Sequence, residues 1–214
     1  FNIEHGIMDI PKDERRVHNK PIPQAGGIAM YIAFMASSLY FLDLNRDTVG
    51  LLIGATIIAG TGLYDDVKEI SPKAKFTLQI LAAAIIYISG TRIGFFTNPF
   101  YGRDQMVYLK LLSIPITLFW VAGITNTINL IDGLDGLACG ISMIAATSLM
   151  FIAYRYNNTQ IAMTSAILAG TCLGFLPYNF NPAKIFMGDT GALLLGFILS
   201  YISIEGVMKS AAII

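Results

Sequence analysis

Seven apolar runs fill most of this chain, and most of its charge lies in the stretches between them. The runs cover residues 26–42, 49–64, 76–95, 108–125, 136–154, 161–178 and 190–208. A helix that crosses a bilayer needs about 20 apolar residues, with a range near 17 to 25. In lipid such a segment must also pair its own backbone polar groups, which a helix does. The chain has 214 residues, of which 55% are hydrophobic and 13% charged, with a mean hydropathy of +0.63. A soluble domain carries roughly 25% charged residues, so seven buried helices here would lack the polar surface to cover them. The expectation is an all-α polytopic membrane protein, a bundle of about seven transmembrane helices. Short connections make residues 1–214 a single integral-membrane domain. It begins at Phe1 and ends at Ile214 beside an apolar run, as a piece cut at both ends would, and it has no signal-peptide pattern. Formal net charge is zero, so no basic field points to nucleic acid. Cys139 and Cys172 lie inside apolar runs and read as small packing groups rather than a disulfide.

Five aspartates sit where runs stop or start: Asp65, Asp66, Asp132, Asp135 and Asp189. Two runs separate each group from the next, so two crossings return the chain to the side it left. All five carboxylates then gather at one face, where carboxylates at membrane depth are costly and usually functional. Lys12, Arg15, Arg16 and Lys20 precede the first run, and Lys68, Lys73, Lys75 and Lys184 fall on the same side. The opposite side holds Arg46, Arg92, Arg103, Lys110, Arg155 and Lys209. The small excess, with the tight basic cluster ahead of the first run, makes the aspartate face cytoplasmic.

Each motif has a chemical and a purely structural reading. In "GLYDDVKEISPKAK", Asp65 and Asp66 repel one another unless one holds a proton or a cation neutralises them. Mg²⁺ suits them, because it binds one or two carboxylates plus substrate phosphates. Lys68 and Lys75 suit an anionic phosphate; the plain alternative is a solvated helix end. In "GITNTINLIDGLDGLA", Asn126, Asn129, Asp132 and Asp135 recur every three residues. A helix would put them near one face, as a stripe for a polar headgroup or nucleotide; the alternative is interhelical hydrogen bonding and a helix cap. In "IFMGDTG", Asp189 is a metal-ligand candidate and Phe186 an aromatic face for a base; capping and interfacial anchoring are the alternatives. Pro115 is expected to kink the fourth run, and Asn98-Pro99 and Tyr101-Gly102 read as turns in the longest connection. His5 and His18 have no metal-ligand spacing, which argues against zinc. Together the motifs fit Mg²⁺-assisted phosphoryl transfer at a membrane surface, between a soluble nucleotide derivative and an apolar phosphate lipid.

"IPQAGGIAMYIAF", "GLYDDVKEISPKAKFTLQ", "NTINLIDGLDGLACGIS" and "YNFNPAKIFMGDTGALLLGF" run in order across nearly the whole chain. They resemble the polyprenyl-phosphate N-acetylhexosamine-1-phosphate transferases, glycosyltransferase family 4. Within that family the wording is similar to the bacterial enzymes that initiate teichoic acid, O-antigen or enterobacterial common antigen. It is less similar to the phospho-MurNAc-pentapeptide translocases, which carry a "TPTMGG"-like string where this chain has "PIPQAGG". The resemblance implies transfer of GlcNAc-1-phosphate from UDP-GlcNAc to undecaprenyl phosphate, releasing UMP, at the bacterial plasma membrane. It implies Mg²⁺, with Mn²⁺ as a substitute, and membrane lipid and a second copy of the chain as further partners. Asp189 matches the family's metal ligand, and Asp65 and Asp66 its catalytic acidic pair. Asn126, Asn129, Asp132 and Asp135 match its nucleotide-sugar stripe, Phe186 its uracil-stacking aromatic, and Lys20, Lys68 and Lys75 its phosphate or nucleotide contacts. The family's histidine-rich loop lies beyond the Asp189 motif, past the end of this chain. A CDP-alcohol phosphotransferase would need an arginine after its Asp-Gly motif, absent from "DGLDGLACG". A prenyltransferase would need two aspartate-rich motifs. An ion-coupled transporter would carry acids at span centres rather than span ends.

Overall fold

The computed structural model describes residues 8–9, 22–97 and 106–211. Within them the chain forms seven α-helices: α1 (Gly26–Phe41), α2 (Arg46–Val67), α3 (Pro72–Ser89), α4 (Ser113–Ile131), α5 (Leu137–Arg155), α6 (Thr159–Asn179) and α7 (Gly188–Ala211). Two short antiparallel pairs join them. β1 (Met8–Asp9) pairs with β2 (Ile22–Pro23), and β3 (Phe95–Thr97) pairs with β4 (Met106–Tyr108). The basic cluster with Lys20, both histidines and the two expected turns lie outside the described residues.

Local chemistry sets the helix ends. The Asn45 side chain accepts the Thr48 N–H at 2.9 Å to start α2, and Ser71 accepts that of Ala74 at 3.3 Å to start α3. Pro72 follows Ser71 in the first turn, where its missing N–H has no partner to lose. The third run was expected to reach residue 95. Instead α3 stops at Ser89, because Gly90 takes φ 132° and turns the chain toward β3. The fourth helix is displaced along the chain from the expected 108–125. It starts at Ser113, so Pro115 falls in its first turn, where the backbone N–H groups lack intrahelical acceptors and no kink is required. It continues through Asn126 and Asn129 to Ile131.

Among the described residues, four helical stretches are long and apolar enough to cross a membrane: Arg46–Val67, Lys110–Ile131 (α4 with the 3₁₀ turn before it), Leu137–Arg155 and Thr159–Asn179. α1 is apolar but has only 16 residues. Large apolar side chains face outward, among them Ile32, Phe119, Ile144, Phe151 and Leu173. Such a surface belongs against lipid, and the chain is an integral membrane protein.

α7 is the hub. From Ala192 to Ile204 nearly every side chain is buried, and the helix packs on α1, α2, α4, α5 and α6. A helix apolar all round is a buried one. Small residues let neighbours close on it. A Cβ at Gly62 of α2 would stand 2.5 Å from the backbone of Thr190, and one at Gly196 of α7 would stand 2.6 Å from Thr125 of α4. Neither neighbouring backbone can yield as a side-chain tip would. Gly62→Val is expected to separate α2 from α7 at a cost of about 1–3 kcal/mol, lowering the melting temperature in detergent by several degrees. Gly60→Val, where a Cβ meets nothing within 4 Å, is the control and is expected to melt near wild type.

Candidate active site

Four helix ends meet at one end of the bundle: the C-termini of α2 and α4 and the N-termini of α3 and α7. Asp66, near the end of α2, accepts the backbone N–H of Asp189 at 2.8 Å and of Thr190 at 3.1 Å, and the Thr190 hydroxyl at 2.6 Å. The first N–H groups of a helix have no intrahelical acceptor, and here another helix supplies one. Gly188, at φ 64°, leads the chain into this turn against the Asp66 carboxylate. The sequence leaves Asp189 open as a ligand or a cap; the cap is Asp66, which leaves the Asp189 side chain for other contacts.

That side chain reaches α3 and α4. Asn129 donates to Asp189 Oδ1 at 2.7 Å, and the Lys75 ammonium forms an ion pair with Asp189 Oδ2. Lys75 also pairs with Asp65 Oδ2 at 2.9 Å and donates to Asn129 Oδ1 at 3.4 Å. Asp65 accepts the Ile70 N–H at 2.8 Å through its other oxygen, which folds the α2–α3 connection back over the cluster. Lys75 thus sits among Asp65, Asp189 and Asn129, half-buried.

The expected stripe is divided by the end of α4. Asn126 and Asn129 lie on its last turns, Asp132 follows as its C-cap residue, and Asp135 lies in the next turn. Burial, joined by the charges of Asp189 and Asp66, pushes the half-buried Asp132 carboxyl up to about 7. Asp135 turns to the connection before α7, accepting Ala183 N–H at 2.9 Å and the Asn181 amide at 3.2 Å. In the same connection Phe186 is half-buried. Its backbone N–H donates to Pro23 at 2.8 Å and its carbonyl accepts from Gly26 at 3.0 Å, tying the segment to the start of α1. Lys68 is exposed just beyond α2. Two participants were not among the expected site residues. Thr190 supplies a hydroxyl to Asp66. Gln79, buried on α3, pairs with Asn126 through both amide groups. Its spacing of four from Lys75 was the available clue, since residues so spaced share a helix face.

Among the described residues, no group of three His, Cys, Asp or Glu side chains gathers as a metal cage. Mg²⁺ does not need one, since one or two carboxylates and substrate phosphates suffice. Asp189 and Asp132 fit that demand. Both are oxygen donors, and burial with the neighbouring charges of Asp189 and Asp66 raises Asp132.

The match to the family model described as "Glycosyl transferase family 4" extends over residues 48–207, and the chain belongs to that family. It is similar to a protein of Bacillus subtilis (strain 168) named "Probable undecaprenyl-phosphate N-acetylglucosaminyl 1-phosphate transferase", at 40% identity over 99% of this chain and 58% of that one. A "Decaprenyl-phosphate N-acetylglucosaminephosphotransferase" of Mycobacterium tuberculosis (strain ATCC 25618 / H37Rv) is 36% identical over 91% of this chain and 52% of its own length. A "Phospho-N-acetylmuramoyl-pentapeptide-transferase" of Clostridium beijerinckii is 32% identical over 97% and 68%. The chain therefore spans a little over half the length of the first two relatives.

Asp132 generates a pH prediction. A carboxyl whose pKa is raised on folding favours the folded state while protonated, and that advantage is lost as pH rises from its unfolded value near 4 through about 7. In chelator, the melting-temperature gain of Asp132→Asn over wild type is expected to grow across that window and to level off above it. A gain independent of pH would contradict the burial and charge assigned to Asp132.

Proposed function

We propose that the full-length protein transfers GlcNAc-1-phosphate from UDP-GlcNAc to undecaprenyl phosphate, releasing UMP. The reaction would begin a cell-envelope polysaccharide at the cytoplasmic face of a bacterial plasma membrane. The observation that carries this reading is the node of Lys75, Asp65, Asp189 and Asn129 at one end of an apolar bundle. It puts charged phosphate chemistry where a lipid phosphate and a soluble nucleotide can both arrive. Family membership supports the reaction class, and the B. subtilis relative's name supports the lipid acceptor and the transferred group. All seven helices are taken as spanning, α7 being shielded by protein rather than by lipid.

In the reaction, an oxygen of the lipid phosphate attacks the β-phosphorus of the nucleotide sugar. The bond between that phosphorus and the oxygen bridging to the α-phosphate breaks, and UMP leaves with the electron pair. A phosphate monoester has its second pKa near 6, so the lipid phosphate reaches the site largely ionised and needs little help from a base. Lys75 offsets phosphate charge, while Asp65 and Asn129 hold its ammonium in place. Asp66 fixes the start of α7 and with it the position of Asp189. Mg²⁺, held by Asp189 and Asp132 together with phosphate oxygens, would neutralise the pyrophosphate and polarise its phosphorus. Phe186 would stack on the base and the segment anchored by Asp135 would contact the ribose, with Lys20 and Lys68 as basic groups for the incoming phosphates.

Full-length protein in detergent with Mg²⁺, UDP-GlcNAc and undecaprenyl phosphate is expected to release UMP. Asp189→Asn is expected to lower the rate at least about 100-fold while melting near wild type. No UMP from the wild-type protein would sink the reading. Product from UDP-MurNAc-pentapeptide instead would favour the translocase reading, which the C. beijerinckii relative keeps open.

A further inference from the structure

Gln79 is the one buried amide side chain on α3, 1% exposed, on the face that carries Ala82, Ala83 and Ile86. A polar group so buried is costly unless paired. Its partner is Asn126 on α4. Asn126 Nδ2 donates to Gln79 Oε1 at 2.5 Å, and Gln79 Nε2 donates back to Asn126 Oδ1 at 3.3 Å. Asn126 Nδ2 also donates to the Ala122 carbonyl at 2.8 Å, so both of its N–H groups are committed inside the protein. An amide has two donors, and Asn126 has none left for a substrate.

The pair lies one helical turn from the charged node. On α3 Gln79 follows Lys75 by four residues, and on α4 Asn126 precedes Asn129 by three. Lys75 bonds Asn129, and both bond Asp189. Two polar rungs therefore join α3 to α4: the amide pair inside the bundle and the Lys75–Asn129 contact at its end. A slip of one residue between the helices is about 1.5 Å along the axis, enough to break either rung. Apolar contacts along α3 do not resist such a slip with comparable direction.

We propose that Gln79 is a positioning residue: its paired amide with Asn126 fixes the register of α3 against α4, and so holds Lys75 and Asn129 on Asp189. The consequence for activity rests on the transferase reading above; the consequence for Lys75 does not. Gln79→Asn and Asn126→Gln each break the pair by changing its length, and the double variant restores the summed length with the two residues exchanged.

The test uses full-length protein in detergent and two readouts. One is turnover with UDP-GlcNAc and undecaprenyl phosphate. The other is acetylation of Lys75 by an amine-reactive ester, read by mass spectrometry against Lys68 and Lys73, which are exposed. Each single variant is expected to lower kcat about tenfold or more, with KM for UDP-GlcNAc within about threefold. Each is also expected to raise Lys75 acetylation alone among the three lysines. The double variant is expected to recover both readouts. Should Gln79→Asn not fold, Gln79→Met fills similar volume without a polar atom and is expected to expose Lys75 in the same way. Wild-type labelling of Lys75 in the Gln79 variant overturns the proposal. So does an exchanged pair as slow as Asn126→Gln alone, which would make Asn126 a direct substrate contact. If the wild-type protein makes no UMP, the transferase reading fails, and the labelling pattern still decides the role of Gln79.

Discussion

The start of α7 depends on a carboxylate from another helix. Asp66 accepts two backbone N–H groups and the Thr190 hydroxyl, groups that an apolar bundle would otherwise leave unpaired at several kcal/mol of gross cost. Because the cap is borrowed from α2, it joins the end of one helix to the beginning of the helix on which five others pack. The bare backbone at Gly62 lets the two come close enough for the bond, and the left-handed turn at Gly188 delivers the chain into it. Once α7 is anchored, Asp189 has its backbone satisfied and its side chain held by Lys75 and Asn129. The site is thus a by-product of how the helix ends are satisfied.

The charge balance at that end explains what it can receive. Among the described residues one ammonium, Lys75, stands among Asp65 and Asp189, with Asp66 and Asp132 close behind. Carboxylates outnumber the cation, so a pyrophosphate approaching alone would meet net repulsion. A divalent cation arriving with it reverses that sign, which is why the proposed reaction gives Asp189 and Asp132 to the metal and Lys75 to the phosphate. Asp66, committed to α7, contributes charge and position rather than a free lone pair directed at a substrate.

Much of this was legible in the sequence, for identifiable reasons. Apolar runs gave the helices because a membrane segment has almost no other way to pair its backbone. Parity brought Asp65, Asp66 and Asp189 together, since two antiparallel crossings return the chain to one end. Helix boundaries were less legible. The stripe from Asn126 to Asp135 was read as one face, yet α4 ends at Ile131 and Asp135 turns to Asn181 and Ala183. Spacing of three residues describes a face only while the helix lasts. Partners across helices were least legible. That Asp66 would cap α7, or that Gln79 in an apolar run would take Asn126, depends on tertiary approach, and no local pattern encodes it.

In the proposed reaction this node directs phosphoryl transfer to a lipid phosphate. The fate of the two phosphates of UDP-GlcNAc tests it most directly. With phosphorus-32 in the β position, full-length protein and undecaprenyl phosphate, label is expected to enter the butanol-extractable lipid. With label in the α position, radioactivity is expected to stay in aqueous UMP. Label from the β position appearing as free phosphate or sugar phosphate, with none in the lipid, would contradict the proposed reaction.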